Sequence, residues 1–404
     1  MIQSWVYWIS LFIGSLVFWI LPKSIRYGFL GILSFGVLFS FDQVSSLLLL
    51  GLCVGVFLLT PYFKRAFRYS QWITGFSIFI CLIPLAYFKY TQDLFPQLAG
   101  QGWVPLIIPL GISYYVFKLI HYILESRAET LPQSSFQLFF SYLFLFPAFS
   151  AGPIQRFDIF LEQKENHWNS QIIVQGITRI TYGLIKQFFL IQRVLGHFNY
   201  RMQLPEMTDG ISHTLSFYST TQIWALLLSK YIYIYLNFSA YSDIAIGCCQ
   251  LWGIKMMENF NFPILASSIN EFWRRWHMSL SQWCQNYIFL PVLARSRTPW
   301  LALYASFFSI ALWHAATPSR IAWGLFYATG VYLSTLLTRK MRKKSKSSQF
   351  SKKNKVYELP FLQKAGGFLI TQLFVILSMS FILDDTDSSL ELPYKIFLKL
   401  IHLD

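Results

Sequence analysis

Hydrophobic positions along this chain fall into long unbroken blocks. "WVYWISLFIGSLVFWIL" (Trp5–Leu21), "SLLLLGLCVGVFLLTPYF" (Ser46–Phe63) and "GGFLITQLFVILSMSFIL" (Gly366–Leu383) are examples. Such blocks match the roughly 17 to 25 apolar residues a helix needs to cross a bilayer core. The strict alternation of membrane β-strands is absent from the sequence. Block lengths predict spans near 4–21, 26–41, 45–62, 71–89 and 104–124. Less regular membrane segments follow near 136–152 and 172–196. Further spans are predicted near 216–236, 238–254, 299–316, 321–338 and 366–384. The expected fold is therefore an all-α polytopic membrane protein with about eleven or twelve transmembrane or re-entrant helices.

Three places break the apolar pattern. "PLIIPLGISYYVF" (Pro105–Phe117) and "LFPAFSAGPIQRF" (Leu145–Phe157) are rich in proline and glycine. Irregular backbone at membrane depth must be covered by protein or face a water-filled cavity, although the same residues also kink ordinary helices. The third place, 256–298, is amphipathic, interrupted and rich in Trp and Arg. Within it, "NEFWRRWHMSLSQW" reads as one helix from Asn270 to Cys284, with Asn270 as cap and Glu271 in the first turn. On one continuous helix, residues three and four apart share a face. Trp273, Trp276, His277, Leu280 and Cys284 then form a stripe, and Arg275 lies between faces. An interfacial helix explains the Trp and Arg residues. It leaves His277 either a hydrogen-bonded packing residue or a participant in chemistry.

Composition supports the membrane reading. Charged residues make up 13% of the chain, about half the usual globular fraction. The net charge of +15 does not point to nucleic acid, because the basic residues sit in short runs between apolar blocks. That is how topology is written. "KRAFR" (Lys64–Arg68) and "TRKMRKKSKSSQFSKKNK" (Thr338–Lys355) are expected inside, the second as a flexible loop near anionic headgroups. Met1 is then outside. The first span lacks a basic leader and a small-residue cleavage site, so it is expected to stay as a span. Cys53, Cys81, Cys248, Cys249 and Cys284 lie in or beside apolar segments without metal-site spacing, and read as buried thiols. No metal is implied.

Two further clusters carry candidate chemistry. In "SIALWHAATPSRIAWG" (Ser309–Gly324), Trp313 and His314 close an apolar run beside small residues. An ionisable residue in a membrane segment is a functional candidate by default; the competing reading is a histidine at the external surface. In "YLNFSAYSDIAIG" (Tyr235–Gly247), Ser242 and Asp243 sit between two apolar halves. Asp243 could orient a histidine or pair with Arg274 or Arg275. A plain turn is the alternative.

Together these stretches resemble the membrane-bound O-acyltransferase family, in the bacterial branch that holds alginate O-acetylases and the membrane protein of teichoic-acid D-alanylation. The branch's "FW-R-WH-SLS-W" segment is matched by Phe272, Trp273, Arg275, Trp276, His277, Ser279, Leu280, Ser281 and Trp283. Its "WHG", which carries the family's essential histidine, reads Trp313-His314-Ala315 here. Pro109–Glu125 resembles the "LGISF/Y–TF" helix, and Ser150–Phe157 the "SGPI-RF" turn. "NFSAYSDIAIG" is similar to "DFSGYSDMAIG", with Asn237 and Ala240 substituted. "ENFNFPILASSINEFW" continues the match. The resemblance covers about 105–335 of one integral membrane domain. Residues 1–100 are read as peripheral spans, 339–355 as a polybasic loop and 366–384 as a C-terminal span. The arginine that commonly follows a phenylalanine at the family's end is not evident in "SFILDDTDSSLE".

The resemblance implies helices around a tunnel or funnel, lined by the Trp–Arg–His segment and leading towards His314. It implies a multi-pass protein of the bacterial inner membrane. The implied activity is O-acyl transfer, acetyl first and D-alanyl as alternative, to an extracytoplasmic polysaccharide or cell-wall polymer. The donor would be acyl-coenzyme A or an acyl-phosphopantetheine carrier protein, with no permanently bound cofactor. His314 would be the base and His277 an orienting or polarising group. Asn270, Trp273, Arg275, Trp276 and Trp313 would line the donor path. Arg275 would either hold its helix or neutralise a donor phosphate. Membrane lipid and a separate extracytoplasmic acyltransferase or acceptor protein are the expected partners. A transporter or lipid flippase is the reading from another class. No G-x-S-x-G elbow supports a triad hydrolase, and the sequence lacks the internal repeat common in transporters.

Overall fold

The computed structural model describes residues 1–66, 68–94, 108–132, 134–163, 167–204, 215–348, 361–383 and 389–401. Pro105–Ile107 of the proline-rich stretch, 349–355 of the basic run and 384–388 near the end lie outside them. The described residues are helices and connections, without strands. Among the described residues, five helices are long and apolar enough to cross a membrane: Lys23–Phe41, Gln43–Phe63, Ser70–Tyr90, Pro318–Lys340 and Lys364–Ile382. Trp5–Ile20 is a shorter apolar helix. All five cysteines are buried free thiols.

Packing divides the chain into two units, one of residues 1–189 and 237–258, the other of 190–236 and 259–404. In the first unit, Asp42 links two segments. One carboxylate oxygen caps Gln43–Phe63 by accepting from the Ser45 backbone N–H at 2.9 Å. The other accepts from the Leu110 N–H at 2.7 Å, ahead of the helix Ile112–Ala128. The cap satisfies a donor that the helix start otherwise leaves open.

Two predicted spans are one element. Residues 216–236 and 238–254 contribute to a single 31-residue helix, Thr220–Gln250. The polar cluster, for which a turn was the alternative reading, sits inside it. Ser239, Ser242 and Asp243 are buried, and Asp243 is neutralised by Arg179 Nε and Lys186 Nζ, both at 2.5 Å. Arg179 also grips Glu258 with two guanidinium nitrogens. Asp243 thus has its cations on the segment 170–195, not at Arg274 or Arg275. That segment is itself irregular: α-helix Ser170–Leu184 passes into π-helix Ile185–Leu195. The polybasic region also departs from a plain loop, because the helix beginning at Pro318 continues to Ser348.

Close backbone approach requires glycine at one crossing of the first unit. A Cβ on Gly247 would lie 2.5 Å from the Gly176 carbonyl oxygen and 2.9 Å from the Ile180 backbone nitrogen. Backbone cannot move aside as a side chain can. Gly247→Ala is expected to destabilise by roughly 1–3 kcal/mol, the range for overpacking. Gly36→Ala, where the added carbon meets nothing within 4 Å, is the matched control. Thermal unfolding in one detergent should show a clear drop for the first variant only; equal melting temperatures would refute the crossing.

Candidate functional site

The Trp–Arg–His segment is two short helices rather than one. Ile269–Arg275 is capped by Ser268, whose hydroxyl accepts from the Glu271 N–H at 3.2 Å. Met278–Cys284 follows. Between them the chain turns at Trp276 and His277, and His277 has φ 42° and ψ 54°. A left-handed backbone at a residue bearing a Cβ costs about 1–2 kcal/mol. It persists where surrounding contacts hold it.

The contacts are visible. Asn259 accepts from the Met278 N–H at 2.9 Å, and the Asn261 N–H donates to the Arg275 carbonyl at 3.0 Å. The Asn259 side chain accepts from the Ser279 hydroxyl at 2.6 Å. Asn259 is fully buried. Residues 259–261 therefore clamp the break on both sides.

The break redistributes the expected stripe. His277, Ser279, Leu280 and Cys284 are buried, as is Phe272. Trp276 stacks on Phe272 at 5.3 Å and meets Phe260 edge-on at 5.2 Å. Asn270 is not the cap. Its amide donates to Thr335 at 3.2 Å, tying the short helix to Pro318–Ser348. Arg275 donates twice to Glu271, at 2.7 and 3.0 Å, and once to the Asn261 carbonyl at 3.1 Å. Burial alone would raise the Glu271 carboxyl. Hydrogen bonds from Ser267 and Arg275 outweigh it and hold the carboxyl below its ordinary value. Burial also pushes the His277 imidazole below its ordinary value, so it stays neutral at neutral pH.

The second histidine ends the helix Pro299–His314 and is exposed. Trp313 lies between the two histidines. Its ring centre is 6.1 Å from that of His277 and 4.5 Å from that of His314. Trp323 meets His314 edge-on at 5.4 Å, and Trp273 lies 6.2 Å from Trp323. A Cβ at Gly324 would strike the Phe307 carbonyl oxygen at 2.8 Å and the Ala311 methyl at 2.6 Å. Glycine there lets the two helices around His314 close together. The indole N–H groups of Trp273 and Trp323 are buried and meet no acceptor among the described residues.

The second unit thus brings together His277, Trp313, His314 and Trp273. Trp276, Asn270 and Arg275 support the broken helix. Ser242 and Asp243 lie in the first unit, within the ion-paired cluster of Thr220–Gln250. Asn259 and Trp323 were not singled out by sequence reasoning. Trp323 was readable as an aromatic shortly after His314, in the same quoted stretch; the clamp at Asn259 has no local signal. Among the described residues, no group of three or more His, Cys, Asp or Glu gathers to hold a metal ion.

Apolar spanning helices with a strained histidine and an exposed one on a shared aromatic wall define a polytopic membrane protein with a candidate proton-transfer site. The chain belongs to the membrane-bound O-acyltransferase family, whose model matches residues 58–380. It is 31% identical to a protein named "Probable alginate O-acetylase AlgI" from Azotobacter vinelandii, over 66% of this chain and 54% of that one. A Bacillus subtilis teichoic acid D-alanyltransferase is 30% identical over 55% of this chain and 58% of its own length. A Helicobacter pylori peptidoglycan O-acetyltransferase is 30% identical over 62% of this chain and 52% of its own. The match spans about half the length of these relatives.

Proposed function

We propose that the protein is an O-acyltransferase of the bacterial inner membrane. It passes an acetyl group from a cytoplasmic thioester to hydroxyls of an extracytoplasmic polysaccharide or cell-wall polymer. The observation that carries this reading is the exposed His314 on an aromatic wall that continues through Trp313 to His277. An imidazole with an ordinary value near 6.5 can take a proton and return it at neutral pH.

In this reading His314 takes the proton of the acceptor hydroxyl as its oxygen attacks the thioester carbonyl. The carbonyl oxygen gains charge as the tetrahedral intermediate forms. The carbon–sulfur bond then breaks, and the leaving thiolate takes the proton back from His314. His277, neutral and fixed at the break, orients the wall. Trp313 separates the two imidazoles. Arg275 is committed to Glu271 and Asn261, which favours holding the helix over binding a donor phosphate. Asn270 and Trp276 do the same work. Coenzyme A or a phosphopantetheine carrier protein is the donor class, and a separate extracytoplasmic protein completes delivery to the polymer.

D-alanyl transfer is the second reading. It is favoured by a Streptococcus thermophilus teichoic acid D-alanyltransferase that aligns over 78% of this chain at 27% identity. Acetyl comes first because the wording "YSDIAIG" follows the acetylase form. Membrane vesicles from the producing cells, which keep the extracytoplasmic partner, offered acetyl-coenzyme A or a D-alanyl carrier protein together with acceptor polymer, decide between them. Thioester consumption with one donor and ester formation on the polymer is the expected result. An intact thioester with both donors, and solute movement instead, would favour a transporter.

The orientation has its own test. Basic runs predict Met1 outside and Lys340–Lys355 inside. Ser347→Cys, on a background without native cysteines, should resist an impermeant thiol reagent in intact cells and react after lysis. Strong labelling before lysis would reverse the topology.

A further inference from the structure

A second site is built from residues of the first unit, whereas His277 and His314 belong to the second. A cavity of about 400 Å³ opens at the ends of the helices Gln43–Phe63 and Ile112–Ala128. Its lining is chemically divided. Lys64 and Glu129 stand exposed at the rim. Buried Ser126 and half-buried Thr60 provide hydroxyls deeper in, with Thr60 Oγ1 3.2 Å from the buried Tyr122 hydroxyl. Phe57 and Pro61 supply an apolar wall.

The charges are placed, not scattered. Lys64 follows the last turn of Gln43–Phe63, and Glu129 follows the last turn of Ile112–Ala128 with φ 58°. Glu129 Oε1 accepts from the Arg65 backbone N–H at 3.2 Å, which fixes its carboxylate at the rim. Both helices present C-terminal ends, where carbonyls and the helix dipole favour a cation. Glu129 adds a full negative charge to that end, and Lys64 offers one positive charge for an anion. Arg65, Arg68 and Arg127 lie around the same helix ends, so this end sits at headgroup depth on the basic side of the membrane. A ligand that fits carries a phosphate, an amine a few bonds away and an apolar body.

We propose that this cavity binds the headgroup of an aminophospholipid of the phosphatidylethanolamine class. The phosphate meets Lys64 and the hydroxyls, the ammonium meets Glu129 and the helix ends, and the glycerol end lies on Phe57 and Pro61. An anionic headgroup without an amine satisfies Lys64 but leaves Glu129 facing it.

The test uses the full chain reconstituted in phosphatidylcholine vesicles containing equal phosphatidylethanolamine and phosphatidylglycerol. The protein is then extracted in mild detergent and its retained lipids are measured by mass spectrometry. The wild type should retain phosphatidylethanolamine over phosphatidylglycerol by about two- to fivefold, the range for a partly exposed ion pair. Glu129→Gln should abolish the preference while phosphatidylglycerol retention persists, which doubles as the folding control. Lys64→Gln should lower retention of both lipids. Equal retention by the wild type, or a preference unchanged in Glu129→Gln, overturns the proposal. So does soluble phosphoethanolamine binding to delipidated protein without lipid enrichment, because the source would then be a free solute.

Discussion

His314→Gln is expected to lower acyl transfer by about 10²- to 10⁴-fold, the usual contribution of a positioned general base. Glutamine keeps much of the shape and a hydrogen bond but cannot shuttle a proton. His314 is exposed at the last position of its helix, so neither this change nor His314→Ala leaves a core cavity. Both proteins should insert, fold and still bind donor. Ala315→Gly should be mild, because Ala315 is extended (φ −166°, ψ 151°) and glycine adopts that backbone without strain. Acyl groups on the polymer in cells are the readout, with protein level checked by blot. Near-normal acylation by either His314 variant removes this residue from the mechanism and leaves His277 as the remaining imidazole of the wall.

The site was legible where its chemistry is local. Trp313-His314 and the run from Phe272 to Trp283 announce themselves, because an apolar chain carries few residues of that cost. Membrane spans were legible for the same reason: apolar length is a local property. The rest depends on partners remote in sequence. Asp243 read as a buried acid with a turn as the alternative, and its partners were missed because Arg179 and Lys186, which let a carboxylate stay inside a helix, lie far upstream. The segment from Asn270 to Cys284 has helical spacing throughout, and only Asn259 and Asn261 reveal that it breaks. Capping was misplaced by two residues because Ser268 and Asn270 are both good caps. Hydrogen bonding chose the serine, while Asn270 is used between helices.

The break itself carries the second large expectation. At His277 the usual order of small substitutions should invert. In a helix interior alanine is better than glycine by up to about 1 kcal/mol. At φ 42° and ψ 54°, glycine bears no penalty, while alanine keeps the left-handed strain of about 1–2 kcal/mol. Both variants lose the buried imidazole and its packing against Trp313, so both should melt below the wild type. His277→Gly should melt above His277→Ala. Activity separates the remaining roles. If the imidazole serves only to position the wall, the two variants should lose transfer in the order of their stability, and His277→Asn, which tolerates the left-handed region, should recover part of both. If it takes part in proton transfer, all three should fall together by orders of magnitude whatever their melting temperatures. Transfer rate and detergent melting are measured on the same preparations. A His277→Ala protein more stable than His277→Gly would show that the backbone at this position is not held in the left-handed region. The clamp by Asn259 and Asn261 would then no longer explain how the histidine reaches Trp313.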